Sequence, residues 1–305
     1  MSILNVNKIN PVGGGSTITI TGIASVTNNI SVGNSVTATT YFGDGSQLTG
    51  IDATKIETGN TKVETIDTGS DGHIKITTEG TERVRIDSAG RLLLGTTTVG
   101  DSSSDDLIIA TSGRTGMTIR SGSSNNGIIH FADATSGGGE YVGAILYSHN
   151  TNHMRFDTNG TEKLRITSEG YVKKPNQPVF DVCGASGNPS GAGYITFTTV
   201  KVNIGSHYST STGKFIAPVA GTYFFSFGCI KSGNSSLARL YLYKNGSSAN
   251  GRQLRMPTGG DGYGENGAKT NIVTLAANDE IQVYMSEGTI HGGTAYLYFN
   301  GYLIG

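Results

Sequence analysis

Acidic side chains at three places in the sequence are candidates for chemistry, because glycoside hydrolysis requires a pair of carboxylates that face each other across a cleft. The three places are Asp101 with Asp105 and Asp106, Glu140 after Gly137–Gly139, and Asp261 with Glu265. The first group sits in a Ser-rich run that is typical of a solvated loop. No part of the chain has the length or aromatic content of a single-chain β-helix that holds a sugar-cleaving groove. The sequence therefore predicts no catalytic residue and a protein that is not an enzyme.

Histidine spacing offers little for a metal ion. His149 and His153 are four residues apart, but Asn150-Thr151-Asn152 between them indicates a turn rather than a helix that presents both rings. His73 and His153 occupy equivalent positions in an internal repeat, so three associated chains would bring three imidazoles together. The alternative is a histidine that packs or faces water. We predict no metal site and no cofactor.

A polar, glycine-rich region is the better candidate for chemistry, as a recognition site. Residues 246–267 contain seven glycines among amide, charged and aromatic side chains. Long loops on a rigid scaffold are common binding sites, and Tyr offers a flat face to a sugar ring while amides and charges bond its hydroxyls. The alternative is an ordinary set of surface loops. The predicted ligand-binding residues are Asn245, Asn250, Arg252, Asp261, Tyr263, Glu265 and Asn266.

Composition limits which elements can position these residues. The chain has 305 residues with 46 Gly, only 15% charged residues and a net charge of −1, which argues against nucleic-acid binding. No apolar run approaches the roughly 20 residues of a membrane helix, and the start, MSILNVNKINPVGGG, predicts no secretory signal. Cys183 and Cys229 indicate two buried thiols, with a single bridge as the alternative. Short strands joined by tight turns fit this composition, provided that periodicity supports them.

Aromatic residues divide the chain. Residues 1–174 hold seven Phe and Tyr and residues 175–305 hold seventeen, so only the second part can build a compact core alone. The prolines of Lys173–Pro178 mark the joint. We predict an N-terminal attachment region at 1–60, a shaft at 61–174 and a head at 175–305.

The shaft contains an internal repeat of strand signals. Residues 73–90 recur as residues 153–170, and each copy alternates apolar and polar positions around the turns Glu79-Gly80 and Ala89-Gly90 or their counterparts. Ser16–Thr21 has the same alternation. A lone meander of this size is marginal in water, so we predict an elongated, intertwined trimer that shares one narrow core. A disordered stalk is the alternative.

Strands in the head carry apolar residues on both faces. In 221–230 one face holds Tyr223, Phe225, Phe227 and Cys229, and the other holds Phe224 and Ile230; in 294–304, Leu297, Phe299 and Leu303 alternate with tyrosines. One face fills a two-sheet sandwich and the other needs a partner. A monomeric sandwich is the alternative. The predicted trimer-interface residues are Tyr223, Phe225, Phe227, Tyr296, Tyr298 and Tyr302.

The head sequence resembles a known family. Residues 212–227, TGKFIAPVAGTYFFSF, are similar to the signature of the globular head of the first complement component and its tumour-necrosis-factor relatives, and 240–246, 275–283 and 299–303 follow in the expected order. The resemblance covers roughly residues 178–305. It implies an all-β fold, a ten-stranded jelly roll that forms a homotrimer.

A second resemblance concerns the N-terminal part. Residues 42–51, 131–137 and the repeat are similar to segments of tailed-phage fibres. This implies a trimeric tail or baseplate fibre, located in the virion, that binds a host surface glycan or protein receptor through its head and other tail proteins through its N-terminus, without nucleic acid or membrane insertion. The alternatives are a polysaccharide-degrading tailspike and a purely structural baseplate or capsid fibre.

Overall fold

The protein is described by a computed structural model that covers residues 54–232, 237–257 and 266–305. These ranges contain 22 strands and one short 3-10 helix, Gly137–Tyr141, so the prediction of an all-β fold is confirmed. The chain divides into two compact units, Met1–Gly116 and Met117–Gly305. The predicted boundaries at 60 and 174 stay a prediction. In the described residues no helix has the length and hydropathy needed to span a membrane.

One six-stranded sheet makes up the described part of the first unit, in the order β1-β2-β3-β4-β5-β6. Its strands are β1 Lys55–Thr58, β2 Thr61–Ile66, β3 His73–Thr78, β4 Thr81–Ile86, β5 Leu92–Leu94 and β6 Leu107–Ile109. Leu93 is buried, but Ile56, Val63 and Leu107 are 79%, 40% and 52% exposed. A single chain therefore leaves much of this sheet's apolar surface uncovered, as the composition predicts.

A five-stranded sheet opens the second unit, in the order β11-β10-β9-β8-β7. Its strands are β7 Asn126–Phe131, β8 Gly143–Ser148, β9 His153–Thr158, β10 Thr161–Ile166 and β11 Val172–Lys173. Neighbouring strands are antiparallel, and Ala144 and Leu146 on β8 are buried.

The predicted repeat is confirmed as two similar antiparallel hairpins, β3–β4 and β9–β10. Both turns have two successive residues with positive φ, Glu79-Gly80 at 50° and 71° and Asn159-Gly160 at 51° and 64°. This conformation fits the twist of a tight hairpin and favours Gly and Asn. A Glu–Arg pair also recurs, with Glu82 accepting from Arg85 Nε at 2.6 Å in the first copy. Glu162 and Arg165 form the same pair in the second.

The head is a sandwich of two antiparallel sheets. The first has the order β14-β12-β22-β17-β20, and the second has the order β15-β16-β21-β18-β19 with β13 paired to β21. The strands are β12 Val179–Cys183, β13 Gly193–Tyr194, β14 Thr199–Ile204, β15 Tyr208–Ser209, β16 Lys214–Ile216, β17 Gly221–Ile230, β18 Ala238–Lys244, β19 Ser247–Met256, β20 Asn266–Leu275, β21 Glu280–Glu287 and β22 Tyr298–Leu303. The predicted jelly-roll sandwich is confirmed, with ten strands in the main order and the short β13 beside them.

Aromatic rings fill the space between the two head sheets. Phe180 is 1% exposed, and its ring lies 4.9 Å from that of Phe215, 5.4 Å from that of Tyr208 and 4.8 Å from that of Phe299. Offset and edge-on ring pairs at these distances add to the free energy gained by burial. The head therefore has the self-sufficient core that its aromatic content predicts.

Both cysteines are buried free thiols, as predicted. Burial raises the pKa of the Cys229 thiol to about 12, so it stays protonated and unreactive near neutral pH. The strand predicted at Ser16–Thr21 lies outside the described residues.

Candidate self-association face and ligand-binding residues

A row of apolar side chains crosses the outer face of the first head sheet. Ile204 pairs with Val179, Val179 with Tyr302, Tyr302 with Phe224, and Phe224 with Ile272. Directly paired residues lie on the same face of a sheet, so the five side chains form one line. We call this line the apolar row.

The apolar row is open to solvent in a single chain. Ile272 is 65% exposed, Tyr302 45% and Ile204 38%. The rings of Tyr302 and Phe224 stack at 5.1 Å with a 29° interplanar angle. Contiguous exposed apolar surface of this kind marks an interaction site in soluble proteins.

Tyrosines from the last part of the chain extend this face. The Tyr298 ring lies over Gly228, where an added Cβ would come within 2.5 Å of the ring. Tyr296 precedes β22 and is 43% exposed; its ring is 4.5 Å from that of His291. All three predicted interface tyrosines of the closing segment, Tyr296, Tyr298 and Tyr302, therefore lie outside the aromatic core.

The other three predicted interface residues lie elsewhere. Tyr223 and Phe225 are 0% exposed and Phe227 is 1% exposed, inside the head core. Their assignment to a trimer interface is wrong. Both faces of β17 are apolar, and only the pairing of strands decides which face points inward.

Asn245 stabilises the β18–β19 turn through its backbone conformation and its side-chain hydrogen bonds. Its φ is 49° and that of the following Gly246 is 81°. The Asn245 Nδ2 donates to Asp279 Oδ1 at 2.8 Å, and its Oδ1 accepts from the Glu280 N–H at 2.8 Å. The side-chain amide is thus already engaged at both ends, which leaves little of it for a ligand.

Acid sensitivity at this turn follows from the Asp279 carboxylate. Hydrogen bonds from Lys244, from Asn245 and from the Ala276 N–H lower its pKa to about 2. A carboxyl group with a depressed pKa stabilises the fold above its unfolded-state value near 4, and this contribution is lost as pH falls towards 2. We expect Asp279→Asn to reduce the loss of melting temperature between pH 4 and pH 2, measured by circular dichroism. The wild-type protein is the reference, and an unchanged slope in Asp279→Asn would contradict the assignment.

Asn250 and Arg252 share an open pocket of about 510 Å³ at the edge strands β19 and β20. Asn250 Nδ2 donates to Asn271 Oδ1 at 2.8 Å. Phe224 and Ile272 of the apolar row also line this pocket. The structure thus brings two of the predicted ligand residues together, next to the apolar row rather than on an isolated loop.

The remaining predicted ligand residues do not gather at that pocket. Asn266 begins β20 and lines a different pocket with Tyr296 and Tyr298. Asp261, Tyr263 and Glu265 lie outside the described residues. The expectation of one long loop over 246–267 is wrong, because Ser247–Met256 is a strand paired with β18 and Leu254 and Met256 face the core.

Two of the acidic residues in the Ser-rich run have structural partners. Asp105 accepts from Arg91 Nη1 at 2.8 Å, and Asp101 accepts from the Ser103 N–H at 2.8 Å in a local turn. Over residues 54–232, 237–257 and 266–305, no group of three His, Cys, Asp or Glu side chains is placed to hold a metal ion.

A cluster of tyrosines on the second head sheet was not identified from the sequence. Tyr243 and Tyr284 stack at 4.5 Å, and Tyr194 meets Tyr284 edge-on at 5.1 Å. Tyr241 donates from its hydroxyl to Gln253 Oε1 at 3.0 Å. The alternation Leu240-Tyr241-Leu242-Tyr243 is the sequence pattern that indicates this cluster. Leu240 and Leu242 are fully buried, and the tyrosines between them point outward.

Fold and sequence together define the class of the head. Residues 180–304 match the sequence model of the C1q domain, and these are the residues that form the jelly-roll sandwich of the head.

Several known proteins are similar to part of this chain. Complement C1q tumor necrosis factor-related protein 3 of mouse and of human are each 32% identical over 111 residues, which is 36% of this chain and 44% of the relative. The chain thus covers less than half of these curated relatives. The globular domain of zebrafish complement 1qA is 21% identical over 42% of this chain and 98% of that structure, with a TM-score of 0.33. Eiger TNF from S. frugiperda is 11% identical over 43% of this chain and 94% of that structure, with a TM-score of 0.35.

These relatives correct the functional expectation. The mouse and human relatives are C1q-TNF-related proteins. The prediction of a phage tail fibre that attaches to a host and is located in the virion is therefore wrong. Of the segments that suggested phage fibres, residues 42–51 lie outside the described residues. The repeat forms β-hairpins, and its turns at Glu79-Gly80 and Asn159-Gly160 use residues that are common in tight hairpins of any protein.

Proposed function

We propose that the chain is a non-catalytic binding protein that acts as a homotrimer, held together through the apolar row of its C1q-like head. The observation that carries the proposal is the unbroken register from Ile204 to Ile272 across all five strands of one sheet. A face of this kind is stabilised when a second copy covers it, because burial of apolar side chains is the main favourable term in association. The predicted division into a shaft at 61–174 and a head at 175–305 fits this proposal.

The sheets before the head support the same arrangement. Ile74 and Ile86 face solvent at 40% and 41% exposure in the first repeat, and Ile166 does so at 39% in the second. Chains held together at the head would raise the local concentration of these sheets and favour their packing on one another. The shaft therefore gains a shared core only as a consequence of the head contacts.

Ligand contacts are proposed at the β19–β20 edge. Asn250 and Arg252 line a pocket that also touches the apolar row, so a ligand there would lie beside the subunit contact. Three copies of the pocket on one trimer would increase avidity without any new contact.

A charge at the end of the apolar row tests this proposal. Ile272→Asp places a carboxylate where the proposed contact excludes water, so we expect the light-scattering mass to fall to that of one chain, 31.7 kDa. Ile216→Asp is the matched control, because Ile216 is 41% exposed on the opposite sheet and its variant should keep the wild-type mass. Circular dichroism of both variants checks that each is folded. A multimeric Ile272→Asp protein would overturn the apolar row as the contact.

A further inference from the structure

We propose that a pocket beside β10 and the base of the head binds an organic anion with an apolar tail, of the type of a medium-chain fatty acid. The pocket has a volume of about 360 Å³, within the roughly 300–1,000 Å³ of small-molecule sites. All of its lining lies in the second unit, and it does not include the apolar row. The proposal therefore does not depend on the proposed self-association.

One wall of this pocket is apolar and held in place by the backbone. Pro178, Pro218, Val219 and Leu303 line it. The Leu303 N–H donates to the Pro178 carbonyl at 3.0 Å, and the amide of Gln177 donates to the Leu303 carbonyl. Val219 is nevertheless 45% exposed. A preformed apolar wall that stays open to solvent favours a hydrocarbon chain over a polar ligand.

The rest of the lining is polar, and its lysines are the source of positive charge. Lys163 and Lys174 border the pocket together with His207, and the lining includes neither Asp nor Glu. Lys163 Nζ donates to the Thr161 hydroxyl at 2.7 Å. Among the described residues neither of these lysines forms an ion pair, whereas other lysines do: Lys62, Lys75, Lys214 and Lys244.

The apolar wall and the two lysines together favour one class of ligand. A carboxylate supplies the anionic partner that neither lysine has among the described residues, and charge-assisted hydrogen bonds of this kind are stronger than neutral ones. The lining contains no arginine fork and no glycine-rich turn, which are the usual means of holding phosphates. A single carboxylate on an apolar tail fits both walls of the pocket.

Titration calorimetry of the full chain tests the proposal with three probes: decanoate, decanol and acetate. We expect decanoate to bind once per chain, and decanol and acetate to bind at least about tenfold more weakly, because each lacks one half of the recognised ligand. No decanoate binding would overturn the proposal. Equal binding of acetate would show a simple anion site, and equal binding of decanol an apolar site without charge recognition; either result also overturns it.

Paired variants locate the site. The double variant Lys163→Gln, Lys174→Gln should weaken decanoate binding about tenfold. The control Lys201→Gln, Lys269→Gln removes two lysines from the head strands β14 and β20, outside the pocket lining, and should leave the affinity unchanged. Val219→Asp should abolish binding by placing a like charge on the apolar wall. Light scattering of the same samples reports self-association separately, so failure of this proposal and failure of the proposed trimer are distinguishable.

Discussion

Replacing Phe225 by alanine is expected to lower the free energy of unfolding by about 3–5 kcal/mol. Phe225 is 0% exposed and its ring contacts those of Phe215, Tyr223 and Phe299 at 5.6, 6.1 and 6.1 Å. The change removes the buried ring and leaves a cavity that these close-packed neighbours only partly fill. Urea denaturation followed by circular dichroism measures the loss.

The neighbouring residue on the same strand is the matched control. Phe224 points to the opposite face of β17 and stacks on Tyr302 in the apolar row. Phe224→Ala should therefore act through association, so that its effect on stability shrinks when the chain is diluted. The loss in Phe225→Ala should persist at every chain concentration. A loss that depends on chain concentration in Phe225→Ala but not in Phe224→Ala would contradict the assignment of Phe225 to the core and Phe224 to the outer face of β17.

Gly301→Ala is the second change with a large expected effect, a loss of about 3 kcal/mol through overpacking. A Cβ at Gly301 would lie 2.5 Å from Phe225 Cδ1, 2.9 Å from Phe180 Cε1 and 2.9 Å from the Phe224 carbonyl oxygen. Two of these atoms belong to core rings and the third to the backbone of a paired strand, so none can move freely. Thermal unfolding should show a clearly lower melting temperature.

Gly193→Ala provides the comparison for this prediction. Gly193 lies in β13 without positive φ, and a Cβ there meets nothing within 4 Å. Alanine should leave stability unchanged or raise it slightly by restricting the unfolded chain. Equal losses in the two variants would show that backbone freedom, and not the crowded core, explains the Gly301 effect.

Much of the fold was predictable from local patterns. Period-two alternation identified β3 and β4 and their repeat, β9 and β10, and the glycine dipeptides identified the turns. Signals of this kind act within a few residues, so they do not depend on the rest of the chain.

Which face of a strand is buried depends on distant residues and was predicted only in part. In β22 the alternation of Phe299 with Tyr298 and Tyr302 sufficed, because Phe299 is fully apolar and buried while the tyrosines carry hydroxyls. In β17 both faces hold phenylalanines, so the sequence could not distinguish Phe225 from Phe224. The pairing with β22 and β20 decides it.

The candidate binding residues were the least predictable part. The glycine-rich composition of 246–267 suggests a loop. In the structure the Asn245-Gly246 turn joins β18 to β19, and the two strands form a hairpin. Gly251 accommodates a φ of 69° where the register with β18 shifts. Asn250 bonds Asn271, and Arg252 lines the same pocket, only because β19 and β20 come together at the edge of the sandwich.

The mass of the intact chain in solution tests the central claim most directly. Multi-angle light scattering over a range of chain concentrations should give about three times the 31.7 kDa chain mass, because the apolar row is covered only when copies associate. A mass of one chain throughout that range would contradict the proposed homotrimer and show that the apolar row stays exposed to solvent.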